Sequence, residues 1–408
     1  MRFIRVALIM HGLNGFSTAV SYVQGMADAA NLQVLIARTA EEVRVIQQLR
    51  HRVSVELQGR SPAFVDEKAR RIDDPADRGA LHVYLTHSGR VAAAVRVIVG
   101  PAADMPALTR ARMGLAAFDA LPGLVVSLTE HLVVDPEVDD NRMMRLLMSA
   151  AYKIATAKKS VFDFTHSAAA EIAMLERLGY RRLGDGFEDE AGGMRVPLVL
   201  PTGDLAHMVQ VRSPYQSIAR TLTIDPEPVN WFNRSFPQAT SNAHPATMDE
   251  EAFWSMLTRK LNQVPHHGGP LLVGLDYRDA CRFLKLATVI ACAEGERIVA
   301  KGDVGNELYV LLSGAVDVSD EARRVASFGR GAIFGEMAYL NAEPRTADVV
   351  AKEPSELLVL TQDTMQKAME KMPAVAARIL HNLSLILVER LRETTSQYVK
   401  LSNTRAAA

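Results

Sequence analysis

Cysteine is scarce in this 408-residue sequence: only Cys281 and Cys292 occur, both in apolar surroundings and neither in a Cys-x-x-Cys pair. This excludes a disulfide framework and favours reduced thiols, as in the cytosol. Long apolar runs are also lacking, and no segment approaches the roughly 20 apolar residues of a membrane-spanning helix. The formal net charge is −1, so no overall field recruits nucleic acid or an acidic membrane. We therefore expect a soluble, cytoplasmic protein.

The length of the chain predicts two or three domains, since it exceeds what one compact domain usually contains. Apolar residues make up 48% and charged residues 23%, which is ordinary for globular proteins. In residues 1–33, an apolar run follows Arg2 and Arg5 as in a signal peptide, but His11 and Asn14 interrupt it. We expect a non-secreted extension that either packs on the next domain or makes peripheral contact with a membrane.

Residues 34–213 alternate helical and strand patterns, which predicts an α+β domain. A helix begins behind a capping box of Thr39 and Glu42, and alternation on both sides of Ser88-Gly89 predicts a β-hairpin. Further strands are predicted at LVVSLTEHLVVDP and VFDFTHS, and further helices at NRMMRLLMSAAYKIATAKK and AEIAMLERLGY.

Residues 214–269 differ, because prolines and scattered polar residues predict a linker with one packed aromatic cluster around Trp231 and Phe232. In residues 270–408, glycines separate short strands at intervals of about 8 to 12 residues, which is typical of a small β-barrel or jelly roll. The stretch AVAARILHNLSLILVERLRETT then predicts C-terminal helices. The predicted order is an α+β domain, a linker and a β-roll (jelly-roll) domain with C-terminal helices.

The stretch FGEMAYLNAEPRTADV, residues 334–349, sets a glycine and a carboxylate beside one arginine in an otherwise apolar segment. A buried phosphate ester needs a strong cation and several backbone N–H groups. Arg345 offers a planar fork of donors, and Gly335 allows backbone amides to approach closely. Glu336 can accept a hydrogen bond from a ribose hydroxyl. These features predict a cyclic nucleotide site; the alternative is a roll that keeps its shape and binds nothing.

Residues 270–400 resemble the cyclic-nucleotide-binding domains of kinase regulatory subunits and catabolite activators, in GERIVAKGDVGNELYVLLSGAVDV and FGEMAYLNAEPRTADVVA. The resemblance implies that Glu336 binds the ribose and Arg345 the cyclic phosphate. It further implies that backbone atoms of Gly335, Met337 and Ala338 line the phosphate, with Thr346 and Ala347 completing the cassette. The resemblance implies cAMP or cGMP as the effector and leaves the choice open, since members that bind either one carry a hydroxyl at the position of Thr346. Only ten residues follow Tyr398, too few for a helix-turn-helix, so DNA binding is not expected.

The N-terminal domain resembles the GNAT acyltransferase fold, a mixed sheet flanked by helices, in Val133-Val134-Asp135-Pro136 and in LERLGYRRLGD. The family's loop after that strand is usually rich in glycine and holds the CoA pyrophosphate at a helix N-terminus. Here the loop reads EVDDNRMM, and Asp139 and Asp140 would repel an anion. Leu175 stands where a tyrosine general acid is common. The chain therefore departs from routine acetyl-CoA users.

A closer resemblance is to the acyl-homoserine-lactone synthases and the N-acyl amino acid synthases, carried by RHRVSVELQGR (with Arg50, Arg52 and Glu56), DPAD and AAAVRVIV. It implies an acyl donor carried by acyl carrier protein or CoA, with acyl carrier protein as a partner, and a small-molecule amine acceptor. The implied substrate-binding residues are Arg52, Asp74, Asp77 and Arg96. The lactone synthases' Glu-x-Ser-Arg segment is missing, with Leu128 and His131 at its place, which argues against a lactone product.

Amide formation requires a deprotonated amine and stabilisation of the oxyanion of the attacked thioester. Glu130 and His131 are the predicted catalytic residues, either of which would deprotonate the amine directly or through water; the alternative is that they are surface or packing residues. Asp74, Asp77 and Arg96 equally fit a structural ion-pair network. His166 is interpreted as a turn residue. His266 and His267 lack further ligands, so no metal site is expected.

These observations predict a cyclic-nucleotide-regulated N-acyltransferase whose acceptor is an amino acid. Two alternatives stay open. One is a cyclic-nucleotide-regulated protein-lysine acetyltransferase, and the other is a catalytically inactive sensor of acyl groups and nucleotide.

Overall fold

The computed structural model describes residues 32–58, 62–138, 141–184, 186–189, 194–223, 225–237, 239, 270–303, 305–320, 323–341 and 344–406. The predictions for Asp139, Asp140, His266, His267 and nearly all of the N-terminal extension lie outside these residues. In the N-terminal part the strands are β1 Leu32–Ile36, β2 Val65–Asp66, β3 Arg71–Ile72, β4 Leu81–His87, β5 Arg90–Pro101, β6 Val125–Val134, β7 Phe162–Ser167, β8 Arg181–Arg182, β9 Phe187–Glu188 and β10 Met194–Pro201. Its α-helices are α1 Ala40–His51, α2 Ala107–Arg112, α3 Asn141–Ala157, α4 Ala169–Leu178, α5 Leu205–Gln210, α6 Gln216–Ala219 and α7 Glu227–Ser235.

Eight of these strands form one mixed sheet in the order β1-β4-β5-β6-β7-β10-β8, with β9 pairing β10. The predicted hairpin is confirmed, since β4 and β5 are antiparallel and close at Ser88 and Gly89. Strands β6 and β7 are parallel, and their ladder runs only from Val126–Phe162 to Leu128–Phe164. The sheet therefore opens between β6 and β7 just past this short ladder.

Helices cover the sheet as their sequence patterns predict. The capping box at the start of α1 is present, with the Thr39 side chain accepting from the Glu42 backbone and Glu42 accepting from the Thr39 backbone. Helix α3 packs its apolar face on β4 and β5, and helix α4 ends at Gly179, whose φ of 113° favours glycine. The mixed α+β prediction is confirmed, whereas the GNAT fold stays a prediction.

The first part of the predicted linker packs on this domain. Tyr215 stacks on Tyr152 with ring centroids 4.5 Å apart, and helix α7 brings Trp231 and the fully buried Phe232 against Phe118. The predicted aromatic cluster is thus present and includes β7. Burying each such ring contributes about 1.5–3 kcal/mol, so this segment belongs to the domain core.

The C-terminal part is a roll of two four-stranded antiparallel sheets, in the orders β11-β18-β13-β16 and β12-β17-β14-β15. The strands are β11 Thr288–Cys292, β12 Arg297–Val299, β13 Glu307–Ser313, β14 Ala315–Asp320, β15 Arg323–Gly329, β16 Ile333–Phe334, β17 Asp348–Ala351 and β18 Ser355–Thr361. The helices are α8 Tyr277–Leu284, α9 Glu336–Asn341, α10 Gln362–Lys371 and α11 Pro373–Ala406. The β-roll prediction is confirmed, and no helix in the described ranges is long and apolar enough to cross a bilayer.

Candidate functional site

Arg96 on β5 is the centre of a nearly buried charge network in the N-terminal domain. Its side chain is 4% exposed, and its guanidinium donates to Asp74 at 2.6 Å, to Asp77 at 3.1 Å and to Glu130 at 2.9 Å. Arg50 on α1 contacts both carboxylate oxygens of Asp77 at 2.8 and 2.9 Å. Three carboxylates therefore face two guanidinium groups, so the network suits an additional cation at its open edge.

A β-bulge in β6 changes the backbone direction at His131, the residue after Glu130. Ala94 pairs with Val133 and Arg96 pairs with Glu130, so β6 carries one extra residue between these pairs. His131 has a φ of 51°, which is unusual for a non-glycine residue and common near functional sites. Its Nε2 lies 3.1 Å from Asp74. The bulge thus places Glu130 and His131 on the same network although they adjoin in sequence.

Glu130 and His166 meet where β6 and β7 diverge. The His166 Nε2 lies 3.9 Å from the Glu130 carboxylate, and the other ring nitrogen, Nδ1, is buried without a hydrogen-bond partner among the described residues. The interpretation of His166 as a turn residue was wrong, because it lies on β7 and pairs with Pro197 of β10. The sequence offered no signal for this contact, since its partner is on another strand.

The protonation of these two groups follows from their surroundings. Burial opposes ionisation of Glu130, but the Arg96 guanidinium and the two histidines outweigh it and lower its pKa below the usual range. Burial lowers the pKa of His166, although the Glu130 carboxylate acts in the opposite direction. At neutral pH the site therefore combines an ionised carboxylate with a neutral imidazole.

Arg52 is not part of this network. Its guanidinium lies 2.9 Å from Asp135 and 3.0 Å from Glu137, in the loop after β6. The predicted substrate-binding set is therefore divided: Asp74, Asp77 and Arg96 lie together, and Arg52 lies apart from them. Arg50, two residues before Arg52 in the same motif, belongs to the network instead.

A fully buried carboxylate, Asp163, supports the sheet beneath the site. It accepts hydrogen bonds from Ser127 at 2.7 Å, Thr129 at 2.9 Å and Tyr180 at 2.5 Å. Burial raises the pKa of Asp163, while these hydroxyl donors act in the opposite direction. Sequence reasoning missed this group; its signal was an aspartate in the middle of the apolar strand VFDF.

In the roll, Arg345 lies at a second nearly buried site. Its side chain donates to the Gly335 carbonyl at 2.9 Å, to the Glu307 carbonyl at 3.0 Å and to the Glu307 carboxylate at 2.8 Å. A Cβ added at Gly305 or Gly335 would lie 2.6 and 2.7 Å from this guanidinium. Two glycines therefore leave room for an arginine that the backbone encloses, which fits the binding of a phosphate through Arg345.

Three other residues of the predicted cassette lie in the short helix α9, and Thr346 and Ala347 follow Arg345. Glu336 is nearly buried and lies 2.7 Å from Arg390 of helix α11. Ala338 is buried, Met337 is 53% exposed, Thr346 is exposed and Ala347 is half-buried. The expected ribose acceptor thus has a counter-ion on the C-terminal helix, and that ion pair was not foreseen from the sequence.

A cavity of about 60 Å³ lies beside Arg345, and both domains line it. The roll contributes Glu307, Tyr309 and Arg345, together with residues of β11 and β12. The N-terminal domain contributes Ala168, Ala169, Met194 and Arg195. Among the described residues, no group of three or more His, Cys, Asp or Glu side chains is arranged to hold a metal ion.

Residues 289–372 match the family model described as cyclic nucleotide-binding domain. The chain is 34% identical over 140 residues to the cyclic AMP receptor protein of Thermus thermophilus, covering 33% of this chain and 63% of that protein. It is 39% identical over 90 residues to a cAMP-dependent protein kinase regulatory subunit of Yarrowia lipolytica, covering 22% and 24%. It is also 38% identical over 122 residues to a Bradyrhizobium diazoefficiens protein named glutaminase 2, covering 30% and 19%.

Among solved structures, the catabolite activator protein of Thermus thermophilus is 32% identical, with a TM-score of 0.30, and the match covers 33% of this chain and 63% of that one. The chain spans less than two thirds of the length of each of these relatives. The family match falls on the roll that contains the Arg345 site. The C-terminal part of this chain is a cyclic nucleotide-binding domain.

Proposed function

We propose that this protein is a cyclic-nucleotide-regulated N-acyltransferase that moves an acyl group from a thioester, carried by acyl carrier protein or CoA, to the amine of an amino acid. The observation that carries this proposal is the pairing of Glu130 with His166 at the opening between two parallel strands. A neutral imidazole beside an ionised carboxylate suits removal of a proton from an ammonium group.

In this proposal His166 is the base, in preference to Glu130. Arg96 holds the Glu130 carboxylate at 2.9 Å and lowers its pKa, which makes it a weak proton acceptor. The buried Nδ1 of His166 has no partner within the described part of the chain, so it keeps an unshared acceptor for the proton of an amine that enters beside the ring. Glu130 then stabilises the imidazolium that forms, and backbone amides at the divergent strands stabilise the oxyanion. As the C–N bond forms and the oxyanion collapses, the C–S bond breaks, and the thiolate of the carrier leaves with the proton of the imidazolium.

The acceptor is an amine because the open edge of the network is negative. Asp74 and Glu130 each share the Arg96 guanidinium, and His131 adds its ring nitrogen to Asp74. An ammonium group approaching this edge meets carboxylates before it meets a cation. Asp135 and Glu137 follow β6, and acidic residues before a helix N-terminus disfavour a CoA pyrophosphate at that terminus.

The cyclic nucleotide is the proposed effector. Arg345 would hold the cyclic phosphate and Glu336 the ribose, as the family resemblance implies, and the names of two relatives refer to cyclic AMP. A coupling of about 1–3 kcal/mol between such an effector and a second site changes its equilibrium about 5- to 150-fold.

The first test is mass spectrometry of lipid extracts from a host that expresses the wild-type chain, beside hosts that express Arg96→Ala or the control variant Arg110→Ala, whose residue lies outside the Arg96 network. New N-acyl amino acids in the wild type and Arg110→Ala, and their loss in Arg96→Ala, are the expected result and identify the acceptor. Identical extracts from the wild type and Arg96→Ala would contradict acyl transfer to an amino acid. Acetylated lysines in that host would then favour a protein acetyltransferase, and nucleotide binding without thioester turnover would favour an inactive sensor.

A further inference from the structure

The cavity beside Arg345 is too small for the ligand that its residues would bind. It measures about 60 Å³, whereas pockets that enclose small-molecule ligands usually measure about 300–1,000 Å³. One wall of the cavity belongs to the N-terminal domain. Ala168 and Ala169, at the start of α4, and Met194 and Arg195, at the start of β10, form that wall.

The two domains pack closely at this wall. The Met194 sulfur lies 3.6 Å from the sulfur of Cys292, and the Arg182 guanidinium donates to the Val289 carbonyl. One continuous apolar cluster contains side chains of both domains, among them Ala169, Met194, Ile290, Cys292, Ile298 and Tyr309. The arrangement is therefore a packed interface rather than a loose approach of two surfaces.

Charged groups at the rim of this interface complement one another. Arg297 of β12 lies 3.3 Å from Glu188 of β9, and both side chains are partly exposed. Arg195 lies 2.5 Å from Asp189 on the N-terminal side. Separating the N-terminal domain from the roll would therefore break the ion pair between Arg297 and Glu188 and the contacts of the apolar cluster. A ligand that requires this separation must provide the free energy that these contacts contribute.

The wall belongs to the strands that carry the candidate acyltransferase site. Ala168 follows the end of β7, two residues after His166 in the sequence. Ser167 pairs with Val196 of β10, the residue next to Arg195. The wall and the His166 ring that faces Glu130 are thus only one or two residues apart along these strands.

We propose that a cyclic nucleotide and the N-terminal domain compete for the same face of the roll. In the arrangement described here the N-terminal domain closes the pocket, and a nucleotide binds only after β7, α4 and β10 withdraw from it. This rests on nucleotide binding by the roll, which is the regulatory part of the proposed function. It adds a mechanism: nucleotide frees the end of β7 that adjoins His166.

The first experiment measures the affinity of the full chain for cAMP and for cGMP by isothermal titration calorimetry. Glu188→Arg places a like charge against Arg297 and weakens the interface without altering any residue of the pocket. Because apparent affinity increases with the populated fraction of the open state, binding should become about 2- to 10-fold tighter. Glu41→Arg, with the same charge change at a distant surface pair, should bind as the wild type does. Unchanged or weaker binding by Glu188→Arg would overturn the competition.

The second experiment measures the alkylation rate of each cysteine by peptide mass spectrometry, with and without saturating cAMP. Cys292 is 4% exposed and faces Met194 of the other domain, whereas Cys281 is fully buried in helix α8 of the roll. Withdrawal of the N-terminal domain should raise the rate at Cys292 at least about tenfold, and the rate at Cys281 should not change.

The outcomes distinguish a failure of the proposed nucleotide regulation from a failure of the proposed competition. If cAMP and cGMP bind neither the wild type nor Glu188→Arg, both nucleotide regulation and the competition are wrong. If nucleotide binds with a dependence on Arg345 while the alkylation of Cys292 stays constant or falls, the competition alone is wrong and the proposed regulation stands.

Discussion

Arg96 and Arg345 are both nearly buried guanidinium groups, yet their partners differ. Arg96 contacts three carboxylates, and these contact further groups such as Arg50 and His131. Arg345 contacts one carboxylate, that of Glu307, and otherwise two backbone carbonyls. In the first case no partner can leave without disturbing several others, whereas in the second a phosphate can replace a single anion. The interlocked network around Arg96 suits a catalytic site, and the pair of Arg345 with Glu307, in which one anion can be replaced, suits the binding of an effector.

The largest effect is expected from Arg96→Ala. This substitution leaves the buried Glu130 carboxylate without its guanidinium partner and removes one cation from Asp74 and Asp77, which should lower the free energy of unfolding by about 3–5 kcal/mol and abolish acyl transfer. Urea denaturation, together with product analysis, measures both effects. Arg110→Ala removes a partly exposed ion pair with Asp119 and a hydrogen bond to the Ala102 carbonyl and should change stability by at most about 2 kcal/mol. Equal effects of the two variants on stability and activity would contradict the proposal that the Arg96 network stabilises the domain and supports acyl transfer.

The second effect is on catalysis. Because a general base contributes about 10²–10⁴-fold, His166→Gln should lower kcat/KM of acyl transfer within that range. A base whose pKa lies below the usual 6.5 is deprotonated at neutral pH, so wild-type activity should decline only as the pH falls below about 6.5. The variant should lose this acidic limb. His87→Gln, at the end of β4, is the control; a normal pH profile for His166→Gln would assign the base elsewhere.

The third effect is on nucleotide binding. Arg345→Ala removes the cation at the pocket and, since hydrogen bonds to charged groups contribute about 1.5–3 kcal/mol, should weaken cAMP binding about 10- to 100-fold. Calorimetry with the exposed variant Arg323→Ala as control measures this loss. Unchanged affinity for Arg345→Ala would contradict the assignment of the phosphate site, whatever happens to acyl transfer.

The smallest effect is expected from Glu307→Gln. The amide keeps an acceptor for Arg345 but removes a negative charge that competes with the phosphate. Nucleotide should therefore bind more tightly than to the wild type, by about tenfold at most. A titration of this variant beside the wild type decides between two roles for the carboxylate. Weaker binding would mean that Glu307 positions Arg345 and is not displaced, and the contrast with Arg96 would then be smaller.

The same difference explains how much the sequence predicts. Gly335, Glu336 and Arg345 lie within one short stretch, so their chemistry was visible before the fold was known. The partners Glu307 and Arg390 come from other elements and were missed. In the N-terminal domain, His166 meets Glu130 only because β6 and β7 are parallel and in a particular register, which local patterns do not determine. The bulge at His131 likewise depends on the pairing of β5 with β6.

The apolar cluster that joins the two domains also bears on how the chain unfolds. Two domains that share a core lose their stability together, because separating them exposes apolar surface to water. Heating the protein alone should therefore give one cooperative transition. A ligand that holds the roll apart from its neighbour converts this single unit into two, so the number of calorimetric transitions reports directly on which of the two states the effector selects.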